Sequence, residues 1–263
     1  MTDRVPIWTL TWDISFMFRA LLLLCSAGLL WIFVTASSAQ TGPWMRAPGQ
    51  SFVSASTEIA SSERNWTSIY AEYGVSARNT LTVELGSDLR HTEEFWLGWQ
   101  VPLTPEKWQH RVSLTALLGA RQSGSHRYPM YGVGLNWGRG FGAGVLPWGG
   151  WMSAEGRYLT MHESMIIDPY SIPGIDPMTL PDARHFPVTH FSKLDVTFGL
   201  HATEQTMLIN QLRFYKPDND DLSSRLATSV VHDMGLMDLE LGATFPLKDE
   251  GDPRLMLGSW FEF

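Results

Sequence analysis

Residues 131–138 read Tyr131-Gly132-Val133-Gly134-Leu135-Asn136-Trp137-Gly138, and every second side chain is large and apolar while its neighbours are glycine or asparagine. Successive side chains of an extended chain point to opposite faces, so this stretch has one greasy face and one nearly bare face. A helix would spread the same residues around its whole circumference. The pattern is therefore that of a strand.

The alternation repeats on both sides of this stretch. Leu81, Val83 and Leu85 oppose Thr82, Glu84, Gly86 and Asp88; Phe95, Leu97, Trp99, Val101 and Leu103 oppose Trp96, Gly98, Gln100 and Pro102. Leu194, Val196, Phe198 and Leu200 oppose Lys193, Asp195, Thr197, Gly199 and His201. Turn-forming residues separate the runs. Counting them places strands near 50–60, 65–76, 79–90, 93–104, 109–121, 128–138, 149–160, 191–201, 205–215, 222–233, 236–246 and 253–263. Many of these run to ten or twelve residues, longer than a typical soluble strand and close to what a tilted strand needs to cross a bilayer.

Twelve is an even number, which returns both chain ends to the same side of a closed sheet. Connections test the count independently. If the first strand runs outward, the one long connection, near 162–190, falls outside. Ser76-Ala77-Arg78-Asn79, Ala202-Thr203-Glu204-Gln205 and His232-Asp233-Met234-Gly235 then fall on the inner side, where barrel turns are short. The Gly-rich stretch from Arg139 to Trp148 is the exception, being long for that side.

Bulk properties agree with such a chain. Only 17% of the 263 residues are charged, while Gly (23) and Trp (12) are frequent. The formal net charge of −8 and the lack of any Lys/Arg cluster exclude a nucleic-acid partner, whose phosphates require a basic surface. The only long apolar run, Ala20 to Val34, is too short to span a membrane as a helix. It leads into Thr35-Ala36-Ser37-Ser38-Ala39, with small residues placed for cleavage before Gln40. Residues 1–39 are thus read as a secretory signal peptide, with Met17 as a candidate true start, and 40–49 as an N-terminal periplasmic segment ahead of a barrel over 50–263. Cys25, the single cysteine, lies within the apolar run. The mature chain then carries no thiol for a disulfide, a nucleophile or a cysteine-bound metal.

Alternation leaves open which face meets lipid, because a soluble barrel shows the same pattern with its apolar face inward. A soluble barrel of twelve long strands would enclose more volume than its side chains fill. Aromatics also gather near strand ends, at Trp66, Trp108, Tyr128, Trp137, Trp148, Trp151, Tyr215 and Phe245, in the manner of the girdles at membrane interfaces. Both features select a transmembrane, antiparallel, up-and-down β-barrel of the all-β class.

The last strand carries a specific likeness. In Leu255, Leu257, Ser259, Phe261 and Phe263 every second residue back from the terminal Phe is apolar, except for one small Ser. This resembles the assembly signal of Gram-negative outer-membrane β-barrel proteins, porin-like ones among them. The resemblance implies that Leu257, Phe261 and Phe263 are read by the barrel-assembly machinery, and that outer-membrane lipids and lipopolysaccharide surround the wall.

The faces opposite the lipid then line a lumen. They place Glu72, Glu84, Asp88, Glu155, Arg157, Lys193, Asp195, Gln211, Arg213, Arg225, Asp238, Glu240, Arg254 and Glu262 inside. Both signs interleave, so neither anions nor cations are favoured outright. The expected function is a passive or weakly selective pore for small solutes, the alternative being a closed barrel with a structural or surface-interaction role. A third reading, an outer-membrane lipid-modifying hydrolase, needs a His and a Ser side by side on the outer wall. His162-Glu163-Ser164 and His232-Asp233 supply the residue types, but neighbouring residues point to opposite faces, so no catalytic residue is assigned. Asp168, Asp176, Asp182, His185 and His190 in the long loop lack the fixed spacing of metal ligands, and the prolines between them mark a surface loop. Lys216-Pro217-Asp218-Asn219-Asp220-Asp221 matches a calcium loop in composition alone. No metal and no cofactor is expected.

Overall fold

Strands form where the alternation predicts them because each pleated segment separates its two kinds of side chain completely. The computed structural model describes residues 42–62, 64–124, 126–142, 148–162, 188–218, 220–248 and 251–263. The expected signal peptide and most of the long loop lie outside the described residues. Twelve strands follow in order: β1 (Ser51–Ala60), β2 (Trp66–Ser76), β3 (Asn79–Ser87), β4 (Thr92–Pro102), β5 (His110–Ser123) and β6 (His126–Phe141). The second half comprises β7 (Gly150–His162), β8 (Val188–His201), β9 (Thr206–Pro217), β10 (Ser223–Asp233), β11 (Asp238–Pro246) and β12 (Arg254–Glu262).

Each strand pairs antiparallel with the next, and β12 returns to pair with β1, so the sheet closes. The seam runs from Phe52 opposite Glu262 to Ala60 opposite Arg254. Its inner end is fastened by a reciprocal pair of backbone bonds, Ser51 N–H to the Phe263 carbonyl (2.6 Å) and Phe263 N–H to the Ser51 carbonyl (3.0 Å). Closure leaves no free edge for another chain to add to.

Twelve strands put both ends of the barrel wall on one side, together with the 77–78, 202–205 and 234–237 turns. Gly235 adopts φ +89° in the last of these, a conformation that glycine takes without steric cost. The connection between β7 and β8 leaves from the opposite rim. Strands β5 to β9 each run past their expected bounds: β8 begins already at Val188, β6 extends to Phe141 and pairs through to Gly150, which shortens the long Gly-rich turn, and β5 and β6 meet at a tight turn around Gly124 (φ +60°).

The outer wall is apolar and bare. Leu118 is 63% exposed, and Val133 and Leu135 are each 54% exposed, on one continuous face with Leu97, Leu194, Leu241 and Leu257. An apolar belt of this extent needs a non-aqueous surrounding. The strand-end aromatics divide. Trp108, Trp148 and Phe245 are exposed, and Trp137 stacks on His110 on the outer side. Trp66, Trp151 and Tyr215 turn inward instead, because position along a strand does not fix the face and each shares the parity of the lumen residues.

Candidate functional site: the barrel lumen

The interior is not uniformly polar. Trp96, Leu117, Met130, Leu159 and Phe191 form one buried apolar cluster on the β4 to β8 side in the outer half. Trp151, Met207 and Val231 form a second in the inner half, joined by Trp44, Ile209 and Trp260. Inward positions near a curved wall can pack on one another, and their apolar residues hide in the sequence among the glycines and polar residues of the same face.

Ion pairs also span the lumen or brace its wall. Arg157 on β7 donates from Nη1 to Glu84 Oε2 on β3 at 2.8 Å. Arg213 on β9 donates to Glu58 Oε1 on β1 at 2.5 Å, and Arg254 on β12 lies 3.8 Å from the other oxygen of Glu58. Lys193 on β8 approaches Glu94 on β4 at 3.9 Å, and Arg121 on β5 donates to the same carboxylate at 2.7 Å. The strands of the first, second and fourth pairs are not neighbours in the sheet, so these contacts exist only through the interior. Two charges held apart in a lumen would attract counter-ions, whereas paired ones cancel locally and narrow the passage.

The residues expected from the sequence to line the lumen are placed as follows. Glu84, Arg157, Lys193 and Arg213 enter the crossing pairs, Arg254 approaches Glu58 on the neighbouring strand β1, and Glu72 pairs with Arg46. Gln211 accepts from Arg213 Nε at 2.6 Å and donates to Thr197 at 3.1 Å. Glu240 accepts from Ser229 (2.7 Å) and from the Trp260 indole (3.1 Å), bracing β10 to β12. Glu155 and Asp195 face each other across β7 and β8, and Arg225 is opposite Arg213. Glu262 accepts from Arg46 at 2.9 Å, and Asp238 is opposite Asp233 and Trp260.

Asp88 sits just past β3 and caps the turn to β4. One oxygen accepts the backbone N–H groups of Arg90 (2.9 Å), His91 (2.7 Å) and Thr92 (2.9 Å), and the other accepts from Arg64 (2.9 Å). Burial pushes this carboxyl up, but the four donors outweigh it and hold it well below the ordinary carboxylate range. The same bonds support Leu89, a non-glycine residue at φ +60°.

Besides Arg64, four charged participants went unmarked in the sequence. Glu94 continues the inner row of Trp96, Gly98 and Gln100, so the period-two rule reaches it. Glu58 follows the low-contrast run Ser54-Ala55-Ser56-Thr57, and Arg121 follows Leu117-Leu118-Gly119-Ala120, where neither face is distinctive. Arg46 lies in no strand.

Arg46 belongs to a stretch, residues 42–49, that enters from the side where β1 begins and lies against the inner wall. Arg46 pairs through Nε with Glu72 and through Nη1 with Glu262 (2.9 Å), and its guanidinium carbon stands 4.7 Å over the centre of the Phe52 ring. The Arg46 backbone N–H donates to Thr80 Oγ1 at 3.1 Å, and Gln100 Nε2 donates to the Gly42 carbonyl at 2.7 Å. Glycines in the wall make the room: a Cβ on Gly138 would stand 2.5 Å from Pro43 Cγ, and one on Gly74 would stand 2.0 Å from the Ala47 carbonyl oxygen. A small polar cavity lies beside this stretch, bordered by Gly42, Glu84, Gln100, Asn136, Glu155 and Arg157.

On the outer wall three histidines meet hydroxyl groups. His190 Nδ1 lies 3.0 Å from Thr160 Oγ1, His232 Nδ1 lies 3.0 Å from Thr206 Oγ1, and His162 Nε2 lies 3.4 Å from the Tyr131 hydroxyl.

No protein-family model matches the chain, and no curated protein matches it in sequence. Solved structures do match in shape. The KdgM porin superposes with a TM-score of 0.53 at 8% identity over 81% of this chain and 99% of that one. The NanC porin gives 0.54 at 10% identity over 80% and 98%. The KdgM porin in complex with disordered oligogalacturonate gives 0.51 at 8% identity over 81% and 99%. With a closed twelve-strand antiparallel sheet and an apolar outer wall, the chain has the fold of the outer-membrane porins.

Proposed function

We propose that the protein is a pore of the bacterial outer membrane that passes small solutes passively, with weak charge selectivity and without catalysis. The observation that carries this reading is the pairing of an exposed apolar belt with an ion-paired interior crossed by Arg157–Glu84 and Arg213–Glu58. Charges of both signs alternate around the passage, which supports solutes that are small and either neutral or singly charged. One structural neighbour was solved with an acidic oligosaccharide, oligogalacturonate. Here carboxylates interleave with the guanidinium groups, a poor match to a long polyanion.

In this reading lipid and lipopolysaccharide surround the belt. The barrel-assembly machinery engages the last strand through Leu257, Phe261 and Phe263, whose side chains share the outward parity of Leu255. The surviving alternative is a sealed barrel acting through its outer loops, which the ion pairs across the lumen favour. Liposome swelling separates the two. Proteoliposomes should swell in monosaccharides and amino acids and respond weakly to larger sugars, whereas no swelling in any solute would favour the sealed barrel.

A further inference from the structure

We propose that residues 42–49 form a lumenal plug, set from the inner side, whose displacement widens the passage; this rests on the pore reading above. The wall strands are held by continuous backbone ladders. The stretch from Gly42 to Arg46 is held by side chains instead: the Gln100 amide, the Thr80 hydroxyl, the carboxylates of Glu72 and Glu262, and the apolar cluster that receives Trp44. Side-chain contacts of this kind exchange for water one at a time, so the segment opens at a lower free energy than any strand beside it. Backbone bonds begin only where it joins the wall, with Gly49 N–H to the Gly74 carbonyl (2.7 Å) and Gln50 N–H to the Ala47 carbonyl (3.0 Å). Those two bonds make a hinge.

Arg46 is the fastening. Its guanidinium ties β2 through Glu72 to β12 through Glu262, on either side of β1. Gly138 and Gly74 are the sockets, since a side chain at either would occupy the space that Pro43, Trp44 and Ala47 fill. A bare socket matched to a segment that adds no strand is what a seated obstruction requires.

Three refolded proteins test this in planar bilayers: wild type, Arg46→Ala, and a deletion of residues 42–47. Arg46→Ala should increase the frequency of large current steps, and the deletion should raise unit conductance roughly twofold or more. Conductance in both folded variants equal to wild type overturns the plug while leaving the pore standing. Silence of all three proteins overturns both. A second measurement does not depend on conduction or on the deletion folding. The mature chain read from Gln40 has no cysteine, so Trp44→Cys supplies a single thiol. Its reaction with a charged methanethiosulfonate should quicken about tenfold or more when Arg46→Ala is added. Equal rates with and without Arg46 overturn the fastening.

Discussion

Arg157 and Glu84, 73 positions apart in sequence, meet at 2.8 Å across the lumen and join strands that never touch in the sheet. The pair turns an open ring into a divided one. Its charge balance therefore bears on both the width and the selectivity of the passage.

Replacing Arg157 with Met leaves Glu84 and Glu155 facing the passage without this cation. Reversal potentials in a potassium chloride gradient should move toward that of potassium. The pair is partly exposed, so the stability cost should stay near the low end of about 1–3 kcal/mol for a charged hydrogen bond. An unchanged reversal potential would mean that ions do not pass this point.

The two faces of β6 give a direct test of orientation. Leu135→Arg places a charge in the apolar belt and should destabilise the barrel by roughly 2–4 kcal/mol. Gly134→Asp should cost far less, because a Cβ there meets only ordinary contacts, the nearest being Thr115 Cβ at 3.5 Å, and Arg157 Cγ lies 3.7 Å away. Urea unfolding in lipid vesicles measures both. Equal losses would reverse the assignment of lipid and lumen.

Much of this fold is legible in the sequence because a β-barrel repeats one local rule. Tyr131 to Gly138 already separates its faces, and the same separation places all twelve strands, the closing parity and the outward parity of Phe263. Legibility fails where the local rule is silent. Trp96 and Trp151 read as interfacial or incidental, yet they pack in the interior because a lumen of this width must be partly filled. Arg46 lies in a segment without periodicity, and its partners Glu72 and Glu262 are 26 and 216 positions away. Such contacts depend on how strands close in space, which no single window of sequence contains.

The Asp88 turn predicts a pH dependence. Its folded pKa lies below the unfolded one, so its contribution is complete above the unfolded pKa of about 4 and declines as pH falls through the folded value. At pH 7 Asp88→Asn should be less stable than wild type, and the gap should narrow progressively below pH 4. Thermal unfolding of both proteins across this range checks it; a gap independent of pH would assign the effect to shape alone.

The seam predicts an assembly defect. Removing Phe263 deletes both reciprocal bonds to Ser51 at the inner end of the β1–β12 junction, along with the aromatic end of the last strand. The folded, heat-modifiable fraction in outer membranes should fall sharply, while Leu247→Ala, in an outer turn, should leave it unchanged. Equal yields from both variants would remove the terminal strand from any special role in insertion.

Single-channel recording of the purified wild-type protein in planar bilayers tests the central claim most directly. The account predicts small, stable current steps of weak ion preference, as expected of a passage narrowed by paired charges. A protein that inserts fully yet shows no step at any voltage would contradict it.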